Sequence, residues 1–117
     1  MKVILIPALI LAALVTAGCA TKTSPSQDWA AAAENADSAA GHEALAKHFD
    51  EIAATEEANA EEQRRALADY QARPHRYGRR IKDLRARSGA MLRDFEAGAA
   101  DAKAMAELHR QIAAEMH

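Results

Sequence analysis

The chain has 117 residues and a formal net charge of −2, so we expect one small domain and no nucleic-acid binding by the chain as a whole. Half of the residues are apolar but only 4% are aromatic, and five glycines and three prolines accompany 27% charged residues. This composition is typical of long helices rather than of sheets. The single cysteine excludes an intramolecular disulfide and a cysteine-based zinc site.

Residues 1–18 have the pattern of a secretory signal peptide. Lys2 supplies a positive start, residues 3–15 are apolar apart from the break at Pro7, and small residues lead to Cys19. The run is shorter than the roughly 20 residues of a membrane span and matches the apolar region of a signal peptide. An ordinary signal peptide with an incidental cysteine and an uncut anchor helix are the alternatives.

The stretch that ends at Cys19 resembles the lipobox of bacterial lipoproteins. Ala17 and Gly18 fit the small residues of that motif, whereas Thr16 departs from its usual leucine. The resemblance implies cleavage before Cys19, acylation of its sulfur and hence a membrane partner. In a Gram-negative host, Ala20 in place of aspartate implies the outer membrane, with the protein facing the periplasm.

Residues 19–37 are predicted to form a flexible, lipid-anchored tether, because the segment 20–27 is small and polar and contains Pro25. Trp29 follows this segment. It is expected either at the membrane interface or in the first packing contact of the helical domain. The predicted domains are therefore a signal peptide (1–18), a tether (19–37) and a helical hairpin (38–117).

Two long helices are predicted after the tether, at about 38–72 and 79–116. Ser38 is a suitable N-cap, Pro74 blocks continuation of the first helix, and Gly78 permits a turn. A heptad pattern in the second helix predicts a coiled-coil-like seam. Its members are Ile81, Leu84, Ser88, Met91, Phe95, Gly98, Ala102, Met105, His109, Ile112 and Met116. The predicted fold is all-α, an antiparallel hairpin of two long helices.

Folding about Pro74 pairs residues whose numbers sum to roughly 150, for example Phe49 with Ala102. A hairpin of this size buries little apolar surface, so we expect a homo-oligomer or another partner. The stretches "HEALAKHFDE", "RYGRR" and "MAELHRQIAAEM" are similar to small exported helical proteins of bacteria. That resemblance covers about residues 40–116 and implies the architecture but no activity.

A basic segment surrounds the predicted turn. Residues 64–87 hold nine arginines and lysines against two aspartates, whereas residues 42–63 are strongly acidic. Such a basic tip suits an anionic cell-wall polymer or an acidic envelope protein, and a solvated turn is the plainer interpretation. The candidate partner-binding residues are Arg73, Arg76, Tyr77, Arg79 and Arg80.

The pairing rule also places His42 near His109, and two imidazoles from facing helices are candidate zinc or copper ligands. No His-x-x-x-His pair supports them, and no stretch has the pattern of a catalytic site. The sequence therefore predicts a non-enzymatic, lipid-anchored envelope protein of structural or adaptor type, without a cofactor. The alternative is a periplasmic metal-binding or stress-responsive helical protein.

Overall fold

The structure, a computed structural model, describes residues 25–116, with side chains described from Trp29 onward. Cys19, the predicted signal peptide and His117 lie outside these residues. The described part contains three α-helices, α1 (Pro25–Ala33), α2 (Ala39–Ala72) and α3 (Ile81–Glu115), and no strand. The packing of α2 against α3 confirms the predicted all-α helical hairpin. None of the described helices has an apolar stretch long enough to cross a bilayer.

The ends of α2 follow from local chemistry. Ser38 has extended backbone angles, and its Oγ accepts a hydrogen bond from the Gly41 N–H at 3.0 Å, which satisfies a donor of the first turn. At the other end, the helix stops at Ala72, two residues before Pro74. Gly78 then takes a φ of +59°, which glycine adopts without strain, and a 3-10 turn leads into α3 at Ile81.

Helix α1 occupies part of the range that was predicted to be a tether, and that prediction does not hold for residues 25–33. A turn at 34–37 reverses the chain and brings α1 against the start of α2. Ala32 in α1 and Leu45 in the first turns of α2 are both buried. The approach is close, since a Cβ added at Gly41 would lie 1.6 Å from the Asn35 carbonyl oxygen.

The centre of the hairpin is a seam of alanines. Three of them in α2 and three in α3 are spaced seven residues apart and are at most 6% exposed: Ala46, Ala53, Ala60, Ala99, Ala106 and Ala113. A seven-residue spacing keeps one stripe of each helix turned toward its partner. Each of these six positions carries only a methyl group. The two backbones therefore approach closely and leave little volume between them.

This seam corrects the predicted phase of α3. The positions Met91, Met105, Ile112 and Met116 were expected in the core, yet they remain 39–44% exposed. Ser88 and Ala102 are buried as predicted. The physical reason is volume, because the narrow gap between the helices accepts alanine and excludes methionine. The large apolar side chains therefore lie beside the seam instead of inside it.

A ladder of ion pairs lies on one side of the seam. It joins Asp50 to Arg110, Glu57 to Lys103 and Arg64 to Glu96, again at intervals of seven residues. Exposed pairs of this kind contribute only about 0–1 kcal/mol each. Their arrangement nevertheless opposes register slips, because a slip of one heptad would bring Glu57 beside Glu96, or Arg64 beside Lys103. The residue numbers of each ladder pair sum to 160, about ten more than the predicted sum of roughly 150. The pair Gln63 and Ser88 sums to 151, and there Gln63 accepts a hydrogen bond from Ser88 Oγ at 2.9 Å.

Enlarging the seam is expected to destabilise the hairpin. Ala53 is 3% exposed, and Ala53→Leu would force the backbones apart at a cost of about 1–3 kcal/mol. The neighbouring Ala54 faces solvent, so Ala54→Leu is a matched control expected to stay within about 0.5 kcal/mol of the parent. Thermal unfolding followed by circular dichroism measures both variants. Equal effects of the two substitutions would contradict the alanine seam.

Candidate functional site

The turn between α2 and α3 is held by one carboxylate, that of Asp69. The Tyr77 hydroxyl donates to one oxygen of Asp69, and Arg73 donates to the other. The hydrogen bond from Tyr77, together with Arg73, lowers the pKa of the Asp69 carboxyl below its ordinary value. The carboxylate therefore stays ionised at neutral pH and keeps both partners in place.

Two aromatic rings extend this support. Tyr70 and Tyr77 meet edge to face with ring centroids 4.8 Å apart, a favoured geometry for aromatic pairs. Arg85 of α3 donates through Nη2 to the Tyr70 carbonyl oxygen at 3.0 Å. The turn is thus connected to the end of α2 and to the beginning of α3. The residues exposed on it are displayed from a fixed scaffold.

The five predicted binding residues divide into two groups. Arg73 and Tyr77 are held by Asp69, and Arg80 lies 3.5 Å from the Asp83 carboxylate in an exposed pair. Arg76 and Arg79 are exposed, and among the side chains of residues 29–116 no carboxylate lies within 4.0 Å of them. The first group builds the tip, and the second group is available to a partner.

Arg76 and Arg79 give this tip a defined chemical capacity. Each guanidinium is planar, always charged, and able to bind a carboxylate or a phosphate in a bidentate way. Lys82 and Arg87, early in α3, add charge close to the tip and likewise lack a carboxylate within 4.0 Å in the described part of the chain. We call the group Arg76, Arg79, Arg80, Lys82 and Arg87 the basic tip.

The second candidate site is the histidine pair at the open end of the hairpin. His42 Nδ1 and His109 Nδ1 lie 2.9 Å apart, which confirms that the fold brings these two residues together. The His109 ring also stacks on Phe49, with centroids 5.5 Å apart. Burial, with a smaller contribution from His42, lowers the pKa of His109 below its ordinary value. A hydrogen bond between two Nδ1 atoms requires one donor and one acceptor, so a neutral acceptor imidazole fits this site.

The donor set bears on the predicted metal site. In the described part of the chain, no group of three or more His, Cys, Asp or Glu side chains is arranged to hold a metal ion. His42 and His109 would supply two ligands, whereas zinc sites in proteins use three or four protein ligands. The separation of their nitrogens is accounted for by the hydrogen bond. His42 and His109 are therefore close together, but the described residues supply no third ligand for a metal ion.

Sequence reasoning missed Asp69, which organises the tip. A signal for it was available, because Asp69 precedes Arg73 by four residues, a spacing at which helical side chains meet. It also missed the buried His48, which is 6% exposed and whose Nδ1 has no partner in the described structure. No periodic pattern pointed to that residue, since its burial depends on α1 lying over the start of α2.

Comparison with known proteins adds no assignment. No protein-family model, curated protein or solved structure matches the chain.

Acidification is expected to weaken the open end of the hairpin. Because the folded state lowers the pKa of His109, the unfolded chain binds a proton more readily. The contribution of this group to stability is therefore complete above the unfolded pKa of about 6.5, and it is lost as the pH falls below that value. The melting temperature should be lower at pH 5.5 than at pH 7.5.

The matched variants are His109→Gln and His75→Gln, the latter at an exposed position near the turn. His109→Gln should reduce the difference in melting temperature between the two pH values, and His75→Gln should leave it unchanged. An undiminished difference in His109→Gln would show that other groups cause the pH dependence.

Proposed function

We propose that the protein is a non-enzymatic, lipid-anchored adaptor of the bacterial envelope, and that its basic tip binds an anionic envelope polymer. The observation that carries this proposal is the construction of the tip. Asp69 fixes Arg73 and Tyr77, while Arg76 and Arg79 are exposed with no carboxylate of the described side chains within 4.0 Å. Like charges on one short turn repel, and a turn does not need them to fold.

The hairpin supports an adaptor role through its length. Helix α2 has 34 residues, which at 1.5 Å per residue is about 50 Å. The basic tip is at the end of the hairpin opposite to α1, and α1 follows the segment that would lead from a lipid on Cys19. An anchor at Cys19 and a binding tip about 50 Å along the hairpin would let one chain join a membrane to a second layer.

The chemistry of the tip favours a polymer that carries carboxylates. Peptidoglycan presents many peptide carboxylates along a fixed network, and several weak contacts to one network add up through high local concentration. Arginine suits such groups through paired hydrogen bonds. An acidic envelope protein is the competing partner. An acidic protein would also bind the tip, but in that case the hairpin protein would not sediment with purified cell walls.

The metal-binding alternative has less support. It rests on His42 and His109, which already satisfy each other by a hydrogen bond. A metal would have to replace that bond and find its remaining ligands in water or in another molecule.

The anchor can be tested at Cys19. In a host that processes bacterial lipoproteins, the mature protein should begin at Cys19 and carry its mass plus that of attached acyl groups. Cys19→Ala should abolish lipid labelling and release the protein from membranes. Mass spectrometry of the purified mature protein measures this directly. An unmodified cysteine, or cleavage at another residue, would rule out the lipoprotein assignment.

The tip can be tested by co-sedimentation with purified cell-wall sacculi. Arg76→Gln combined with Arg79→Gln should weaken binding by at least about tenfold, or about 1.4 kcal/mol, and salt should weaken binding of the parent protein. Arg65→Gln combined with Arg93→Gln removes the same charge from exposed positions outside the tip and should have little effect.

Each result has a distinct meaning. Equal losses in the two double variants would show that net charge, and not the tip, controls binding. If the parent fails to sediment with sacculi but crosslinks through the tip to an acidic protein, the polymer is the wrong partner. Lipidation at Cys19 would remain independent of either result.

A further inference from the structure

Helix α1 is attached to the hairpin by a small contact. Among its described side chains, those of residues 29–33, only Ala32 is buried, and Trp29 is 48% exposed. A helix of nine residues is also shorter than the roughly 12–15 residues that an isolated helix needs in water. Release of α1 from α2 is therefore expected to unfold α1.

The packing between α1 and α2 is incomplete. A groove of about 460 Å³ remains between them, lined by Ala31 of α1 and by Ala44 and His48 of α2. His48 is 6% exposed, yet its Nδ1 has no hydrogen-bond partner in the described structure. At 100° per residue, His48 is turned about 200° from Ala46 of the seam, so α1 covers it and α3 does not. A buried polar atom without a partner costs free energy, and departure of α1 would return this atom to water.

The turn that joins α1 to α2 has a tight point at Gly41. A Cβ added there would lie 1.6 Å from the Asn35 carbonyl oxygen, a backbone atom that moves only if the turn moves. Ser38 Oγ donates to the same oxygen at 2.9 Å and closes the turn. The seam alanines Ala53 and Ala60 lie farther along α2 than the residues that line the groove. The attachment of α1 is therefore separate from the seam.

We propose that α1 is a releasable strap, which alternates between a docked helix and an unfolded segment while the hairpin stays closed. Its release lengthens the chain between Cys19 and the hairpin. The length rests on the proposed lipid anchor, whereas release itself does not. With α1 docked, six residue steps lead from Cys19 to Pro25, at most about 20 Å when extended. With α1 released, 19 steps lead from Cys19 to Ser38, at most about 65 Å.

The two lengths matter to a protein that joins two layers. The docked strap leads back along α2, because the turn at 34–37 reverses the chain, and it holds the hairpin close to the anchor. Tension between the anchor and a bound tip favours the released state, since that state is the longer one. Release would let the basic tip stay bound to a layer whose distance from the membrane varies.

Hydrogen exchange of the purified protein, followed by mass spectrometry, tests release without reference to the anchor or the tip. In the parent protein, the amides of residues 26–37 should exchange at least about tenfold faster than those of residues 50–62 in the seam. Gly41→Ala should bring residues 26–37 to the rate of an unstructured peptide. Residues 50–62 should stay protected, because alanine favours helix α2 itself.

The matched control is Gly89→Ala, the same change within α3. The nearest listed neighbour of an added Cβ there is Arg93 Nη1 at 3.7 Å, an ordinary contact, so the exchange of residues 26–37 should not change. Acylation by diethyl pyrocarbonate gives a second measurement. Gly41→Ala should speed the modification of His48, which burial slows, and should leave the exposed His75 unaffected.

The length is measured with lipidated protein in liposomes. A fluorescent donor is placed on Gln71→Cys, at an exposed position near the tip, and acceptors are placed on the lipids. Energy transfer should be lower in Gly41→Ala than in the parent, and Gly89→Ala should match the parent. A protein that does not insert overturns the anchor and the length with it, while hydrogen exchange alone decides release.

Four results would overturn the proposal. Equal protection of residues 26–37 and 50–62 in the parent means that α1 is a permanent part of the hairpin. Unchanged exchange of residues 26–37 in Gly41→Ala means that the turn does not control docking. Loss of protection in both segments of Gly41→Ala means that α1 and the seam unfold together. Unchanged energy transfer despite release means that α1 does not set the distance of the tip from the membrane.

Discussion

The close approach of two helices along a row of alanines is the constraint on which the rest of this structure depends. Ala53, Ala60 and Ala106 fill a gap that accepts little more than a methyl group. Little apolar area is buried per residue in such a seam, so its stability comes from dense contact between two backbones over most of their length. The interhelical ion pairs contribute modestly to that stability, and the reversal of charge between the Glu57 pair and the Arg64 pair opposes slips of register.

The seam also decides where the remaining chemistry lies. Because methionine and isoleucine do not fit between the helices, they form an apolar face beside the seam, and the charged ladder occupies the other face. Because the two helices are joined by a short turn, the arginines that flank Pro74 gather at one end, where Asp69 orders them. The close packing of the alanine seam and the short turn thus account for an apolar face, a charged face and the basic tip.

Much of this was predictable from sequence. Ser38, Pro74 and Gly78 mark the helix ends by local chemistry, and a short turn fixes an antiparallel pairing that brings His42 to His109. The phase of α3 was not predictable in the same way. Helix α3 contains two series of residues spaced seven apart, the alanines of the seam and the larger apolar residues such as Met91 and Met105. The larger residues are the more hydrophobic and therefore suggest the core. The alanines are buried because the facing stripe of α2 is also alanine. This match depends on both helices and cannot be read from α3 alone.

Helix α1 shows the same limit of local reasoning. The tether was predicted from the small, polar segment 20–27, and the contact of α1 with the start of α2 is a tertiary feature that this local composition does not reveal. Gly41 permits the close approach of the Asn35 carbonyl in the turn, and Leu45 and His48 are buried in the first turns of α2. The charge pattern and the turn place the basic segment at one end of the hairpin, whereas the hydrogen bonds that Asp69 makes with some of its residues are visible only in the structure.

The most direct test of the central claim is zero-length carbodiimide coupling of the mature chain, followed by mass spectrometry. The account predicts an amide between Glu57 and Lys103, which form an ion pair across the seam. A mixture of isotopically light and heavy protein should show that both residues come from one chain. Coupling of Lys103 to Asp50 instead would mean a register shifted by one heptad. An amide formed only between light and heavy chains would mean that the hairpin does not close on itself.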